Sequence, residues 1–333
     1  MLEFLRGVAT TPGGASIGTI AWLAEMYTRD EESPYQTKRA VTKEGYDKSL
    51  KILKETVGAR RIDAITSNDV RRWHKEWGRC DDEGKLANPR RAYGCVQMLR
   101  IIVKYGKGLR NSACKDLAGI LTDTEFSPGK GRKQTISVDQ VKAFIIEAHA
   151  AALPSMARAV AIQFACALRQ KDVIGEWLRK PDGKHWTVGL RWGEHIKADW
   201  HLEKPTSKSN FDEVAEFDLR LLPMVMAELV TVPITSRIGP VILDERSGRP
   251  YIQREFARRF RKIAQAARIP DKVWNMDTRA GAISDAYDKE AKSEDAMELG
   301  THKQLATNLK YKRGRIAATN RISKLRFGDK NEG

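Results

Sequence analysis

The residues with the clearest chemical potential are His302 and Tyr311, nine positions apart in Leu299-Gly300-Thr301-His302-Lys303-Gln304-Leu305-Ala306-Thr307-Asn308-Leu309-Lys310-Tyr311. A tyrosine in such a setting can be a nucleophile toward phosphorus. Its phenol has an ordinary pKa of about 10, so it attacks only where cations stabilise the phenolate and the charge that builds on the phosphate. Arg169, in Ala165-Cys166-Ala167-Leu168-Arg169-Gln170-Lys171-Asp172-Val173-Ile174, is one candidate cation, and Asp172 is spaced to hold its guanidinium by a bidentate bond. Neither pattern is specific alone. An isolated His-x8-Tyr is more often a surface helix, and Arg-x-x-Asp is more often a surface ion pair.

The composition supplies cations in quantity. Fifty-nine Lys and Arg against 43 Asp and Glu leave a formal net charge of +16 over 333 residues, and the sequence pI is near 9.7. Each phosphate neutralised by Lys or Arg releases counterions, so a nucleic acid is the leading partner, ahead of an anionic membrane surface or simple solubility. Cys80, Cys95, Cys114 and Cys166 are far apart and form no Cys-x-x-Cys pair, which indicates reduced thiols rather than a zinc site or a disulfide framework. His185, His195 and His201 fit no zinc spacing and are read as surface or DNA-facing. No metal and no cofactor is expected. No apolar run reaches the roughly 18 residues of a membrane span, and the N-terminus lacks the order of a secretory signal. A cytoplasmic or nucleoid-associated protein is expected.

These groups need elements to position them. Residues 1–18, with Thr10-Thr11-Pro12-Gly13-Gly14, read as a flexible arm. From residue 19 to 126 the pattern is helical: Ile20, Leu23, Ala24 and Tyr27 recur at three and four, as do Tyr46, Leu50 and Leu53 before Gly58. Thr66 or Ser67 caps a helix with Val70, Trp73 and Trp77 on one face, and a last helix runs through Tyr93 to Tyr105. A module of about four helices follows from this spacing. Residues 127–134, Ser127-Pro128-Gly129-Lys130-Gly131-Arg132-Lys133-Gln134, read as a linker. In residues 135–333, Ser137 with Gln140 predicts a capping box, followed by helices at Ala157–Ala167, Leu222–Leu229, Arg254–Ala267, Thr278–Glu290 and near Tyr311. Between them, Trp186, Val188, Leu190 and Trp192 alternate as in a strand, and Val214–Leu219 forms another. The fold class is therefore mainly α with a small antiparallel sheet: a helical N-terminal domain, then an α+β domain with a C-terminal tail. At these periods the paired tryptophans are packing residues, as are Met224 and Met226.

The order of the second half resembles the tyrosine recombinase (phage integrase) family. Ala167-Leu168-Arg169-Gln170-Lys171-Asp172 is similar to the family's first arginine motif, where Gly-Leu-Arg-x-x-Glu is usual. Thr206-Ser207-Lys208-Ser209-Asn210 resembles its hairpin lysine, and Gly248-Arg249-Pro250 with Phe256, Phe260, Ala264 and Ile269 its approach to the second arginine. Met276-Asp277-Thr278-Arg279 stands where the family has His-x-x-Arg, and Leu299-Gly300, His302 and Tyr311 match its last motif. The resemblance covers residues 135 to 315 by motif. In front, it extends by layout alone to the family's core-binding domain.

The resemblance implies a site-specific recombinase with Arg169, Lys208, Arg279, His302 and Tyr311 as catalytic residues and Asp172 in support. The arginines would clamp the non-bridging phosphate oxygens and His302 would add a hydrogen bond. Lys208, with Lys204 as its rival, would protonate the departing 5′ oxygen, and Tyr311 would hold the DNA 3′ end as a phosphotyrosine. Double-stranded DNA is the implied partner, bound by a homotetramer with accessory DNA-bending proteins. Phosphate contacts are expected from Arg71, Arg72, Arg90, Arg91, Lys130, Arg132 and Lys133. Two departures stand out: Thr301 is inserted between Gly300 and His302, and Met276 replaces a histidine with a thioether that moves no protons. Asn275 and Asp277 are neighbours that could substitute. A catalytically weakened or inactive DNA-binding protein, or a type IB topoisomerase, would carry many of the same residues.

Overall fold

The computed structural model describes residues 14–129, 131–180, 182–209 and 211–311. The chain divides into two compact units, Met1–Arg132 and Lys133–Gly333. Most of the proposed arm, Lys130 of the linker and the tail beyond Tyr311 lie outside the described residues.

The first unit holds five α-helices among its described residues: α1 (Ile20–Arg29), α2 (Ala40–Val57), α3 (Ser67–Gly78), α4 (Pro89–Gly108) and α5 (Ser112–Asp123). Thr66 caps α3 in a full capping box with Asp69, and Pro89 opens α4, where a missing N–H costs nothing. The α3 face buries Val70, Trp73 and Trp77, and Trp77 Nε1 donates to Thr56 Oγ1 at 2.9 Å. The fifth helix exceeds the expected four. It packs against α4 at Gly106, where an added Cβ would meet Cys114 Sγ at 2.5 Å and Leu23 at 2.9 Å.

The second unit begins with α6 (Val138–Ala150), opened by the Ser137–Gln140 capping box that the spacing predicts, and α7 (Pro154–Ala165). Helix α7 is buried on every side from Ser155 to Phe164, with alanines at 157, 159 and 161 that let neighbours approach. Then come α8 (Gln170–Ile174), β1 (Glu176–Lys180), β2 (Gly183–Thr187), β3 (His201–Pro205) and β4 (Val214–Asp218). The chain continues through α9 (Pro223–Leu229), α10 (Gln253–Ala266), α11 (Asp277–Asp288), α12 (Ser293–Leu299) and α13 (Leu305–Asn308), and the described residues close with a 3-10 turn, Leu309–Tyr311.

Among the described residues, two antiparallel hairpins, β1–β2 and β3–β4, replace the single small sheet. The strand expected across Trp186–Trp192 ends at Thr187, because Val188 takes a left-handed φ of 72°. Leu190 and Trp192 are buried from a loop instead, so their alternation imitates a strand without being one.

Candidate active site

Two helix ends deliver the site, and both turn through a left-handed residue that is not glycine. Helix α7 stops at Ala165, and Ala167, with φ of 45°, redirects the chain so that Arg169 follows. Helix α12 stops at Leu299 and closes with a Schellman cap: Thr301 N–H donates to Glu298 O at 2.8 Å and His302 N–H to Met297 O at 3.0 Å. The left-handed position of that cap is Thr301, with φ of 42°. The inserted residue thus occupies the place that favours glycine, while Gly300 serves packing. A Cβ on Gly300 would lie 2.8 Å from His302 Nδ1. Left-handed backbone costs an L-residue about 1–2 kcal/mol, and glycine gives back part of the difference through its unfolded-state entropy. Thr301→Gly is therefore expected to stabilise this unit by roughly 0.5–1 kcal/mol in urea unfolding. A loss of stability would show that the threonine side chain contributes more than its backbone costs.

Arg279 links the two ends. It rises from the first turn of α11 and is 7 % exposed, with Nη1 donating to Ala167 O and Nη2 to Gly300 O. Burial, and then the nearby charge of Arg169, lower its pKa to about 10, partly opposed by Tyr311 and Asp172. It remains cationic at neutral pH. Arg169 Nη1 is buried without a hydrogen-bond acceptor, and Asp172 Oδ2 stands 3.9 Å away, an ion pair but not the bidentate bond expected. Asp172 is fully buried, and its Oδ1 accepts from Ser207 N–H at 3.0 Å.

His302 is oriented from behind by Asn308, a residue that sequence spacing did not single out. With its amide nitrogen toward the ring, Asn308 donates to His302 Nδ1 at 2.9 Å and to Ala296 O at 3.3 Å, while its oxygen accepts from Tyr287 Oη and Met297 N–H. Burial, and then the charges of Arg279, Arg169 and Lys208, hold His302 below its ordinary pKa. The neutral ring then carries its proton on Nε2, 3.3 Å from Arg279 Nη2. Two donors face one another there, and neither satisfies the other. An anionic oxygen set between them would accept from both.

Tyr311 completes the group. Its ring stacks on His302, centroids 5.4 Å apart and planes within 11°, and its carbonyl accepts from Ser284 Oγ at 2.9 Å. Arg169, Arg279, His302 and Tyr311 are therefore together. Tyr287, the nearest alternative nucleophile, is buried with its hydroxyl engaged by Asn308.

The lysines separate. Lys208 is exposed in the turn between β3 and β4, and its charge reaches His302. Lys204 is 2 % exposed, and its Nζ lies 3.3 Å from His195 Nε2. His195 itself is buried, contrary to a surface or DNA-facing position: Nδ1 accepts from Arg191 N–H at 3.0 Å, and burial followed by the Lys204 charge lowers its pKa to about 4. His185 is partly exposed and paired with Asp182 at 2.9 Å.

Met276 is 57 % exposed at the entrance to α11. Of the two neighbours that could replace a proton acceptor, Asp277 is engaged elsewhere, and Asn275 is held through its Nδ2 while its Oδ1 is buried without a partner. Asp277 Oδ2 accepts from Trp274 N–H at 2.8 Å, and Asn275 Nδ2 donates to Gln163 Oε1 at 3.0 Å. Among the basic residues expected to meet phosphate, Arg71 and Arg72 lie exposed on α3 and Arg90 and Arg91 on the first turn of α4. Arg72 already pairs with Asp69 at 2.8 Å. Arg132 is half-buried and Lys133 exposed ahead of α6.

Neither a protein-family profile nor a curated protein sequence matches this chain. Solved structures do. A lambda integrase dimer bound to a COC′ core site matches with a TM-score of 0.68 at 15 % identity, over 94 % of this chain and 85 % of that one. The Tn1549 transposon integrase in complex with transposon right-end DNA matches with a TM-score of 0.59 at 12 % identity, over 93 % of this chain and 100 % of that one. The chain has the tyrosine-recombinase fold. At this identity, shared architecture reaches across both units while few side chains are held in common, so the tyrosine-recombinase fold of this chain says where a site would lie. The residues that would act there have to be argued from their own chemistry.

Proposed function

We propose that this chain is a site-specific DNA recombinase of integrase type that cuts and rejoins strands through a 3′-phosphotyrosine on Tyr311. One observation carries the proposal: Arg169, Arg279 and His302 meet beside the Tyr311 ring, with Arg169 Nη1 buried without an acceptor and His302 Nε2 3.3 Å from Arg279 Nη2. Buried cations of like charge are costly to assemble, and an anion repays that cost. A scissile phosphodiester, whose non-bridging oxygens gain charge in the transition state, fits the need. Tyr311 Oη attacks phosphorus, the bond to the 5′ oxygen breaks, and Lys208 gives that oxygen a proton. The 5′ hydroxyl of a partner strand later attacks the phosphotyrosine and returns the phenol. The net charge of +16 and the DNA in the matched structures support double-stranded DNA as the partner. One chain per strand of two duplexes makes a homotetramer the working assembly, with accessory DNA-bending proteins as further partners.

A nicked DNA substrate, from which the cleaved fragment diffuses away, tests the proposal. Covalent protein–DNA adduct on a denaturing gel is expected, and its absence across a library of candidate sites would favour the second reading, a binding protein without catalysis. Met276 favours that second reading, since no titratable group stands at its position. If the site is active, the phenol proton leaves without a positioned histidine, so single-turnover cleavage should rise steadily from about pH 6 to pH 9. Met276→His is expected to raise the rate at neutral pH by up to about 10²-fold and to introduce a plateau above pH ~6.5. Identical profiles would assign proton removal to another group.

A further inference from the structure

We propose that the ion pair between Lys303 and Glu213 is a positioning device that sets the Lys208 turn against the Tyr311 site. This rests on the recombinase assignment above. The β3–β4 register ends at Pro205 opposite Val214, leaving residues 206–213 as the connecting turn. Its base is fixed from within by Thr206 N–H to Glu213 O at 2.7 Å and Phe211 N–H to Thr206 O at 3.1 Å. Its outgoing arm is tied to the Arg169 segment, because buried Ser207 donates its N–H to Asp172. Lys208 comes next and is exposed.

The return arm has its own tether. Glu213 Oε1 meets Lys303 Nζ at 3.1 Å, and Lys303 directly follows His302, whose ring lies against Tyr311. Adjacent residues of one short segment thus face different tasks, 302 toward the nucleophile and 303 toward the turn that carries the proton donor. Lys208 is held between an anchor on the Arg169 side and an anchor on the His302 side. The pair is 59 % and 39 % exposed, and a pair so solvated adds little to folding. The same small energy is enough to bias a short turn between docked and undocked positions. A displaced ammonium slows only the step in which it protonates the leaving oxygen.

Single-turnover cleavage at saturating DNA, with two leaving groups, separates positioning from a general structural role. One nicked substrate carries the natural 5′ oxygen and the other a 5′-bridging sulfur, which leaves as a thiolate without needing a proton. Glu213→Gln and Lys303→Gln are each expected to slow the oxygen substrate by about 2- to 5-fold, the kinetic equivalent of an exposed pair, and to leave the sulfur substrate at the wild-type rate. The reversed pair, Glu213→Lys with Lys303→Glu, should recover the oxygen rate. Equal slowing of both substrates, or no slowing of the oxygen substrate, overturns the inference. Failure of the wild-type chain to form an adduct with the sulfur substrate instead removes the recombinase assignment itself.

Discussion

Tyr311→Phe is expected to abolish covalent attachment to DNA while leaving DNA affinity within the ~0.5 kcal/mol of an ordinary surface substitution. Only the nucleophilic oxygen is lost. The ring can keep its stack on His302, and the bond from Ser284 reaches the backbone carbonyl, not the side chain. The variant should therefore fold and bind like the parent. Persisting adduct would point to another nucleophile, and Tyr287→Phe would be the next test, although its hydroxyl is held within the protein by Asn308. A drop in affinity alongside lost cleavage would mean that the Tyr311 hydroxyl supports the fold or the DNA contact before any chemistry.

The two arginines are expected to fail in different ways. Arg169→Ala and Arg279→Ala should each slow cleavage by ~10²–10³-fold or more, the scale of a lost transition-state donor. Their stabilities should diverge. Arg279 donates to the carbonyls of Ala167 and Gly300 from a buried position, and leaving buried acceptors unsatisfied costs about 1–3 kcal/mol each. Arg169 Nη1 has no acceptor, and removal of Arg169 relieves the repulsion that helps depress the Arg279 pKa. Thermal unfolding should place Arg279→Ala well below the parent and Arg169→Ala between the two, since the relieved repulsion is set against the loss of a counter-charge 3.9 Å from buried Asp172. Arg279→Lys keeps the charge but loses the fork, so it should recover little of either property. Equal melting temperatures for the two alanine variants would show that Arg279 does not tie α7 to α12.

The helices of the second unit were legible because their apolar spacing is strong: residues 254–267 and 278–290 lie within a residue or two of α10 and α11. Helix α5 was not, since Cys114, Leu117 and Leu121 make a thin stripe among Ala, Gly and Thr. The strand misread at Val188 failed because alternation reports which residues are buried, not the backbone angle that buries them. At the site, spacing brought forward Arg169, Asp172, Lys208, Arg279, His302 and Tyr311, and folding groups the two arginines with His302 and Tyr311. Asn308 carried no signal, because an amide on α13 that reaches α11, α12 and the His302 segment gains its role only from what surrounds it. His195 was misplaced for the converse reason, as the position of a histidine in a sequence says nothing of the cavity it fills. Thr301, visible as an insertion, needed the cap geometry to be understood.

The left-handed residues at Ala167 and Thr301 would decide which party adjusts if an anion bound beside Arg169 and His302. Glycine at such a turn would let the following segment pivot, since it crosses between positive and negative φ with little resistance. Alanine and threonine sit in a narrow well bounded by their own Cβ atoms. The segments carrying Arg169 and His302 are consequently stiff mounts. Accommodation of a phosphate backbone would then fall to the rotamers of Arg169 and His302 and to the shape of that backbone. A ligand that must bend to reach both mounts would then be discriminated by its own flexibility, at positions that no side chain touches.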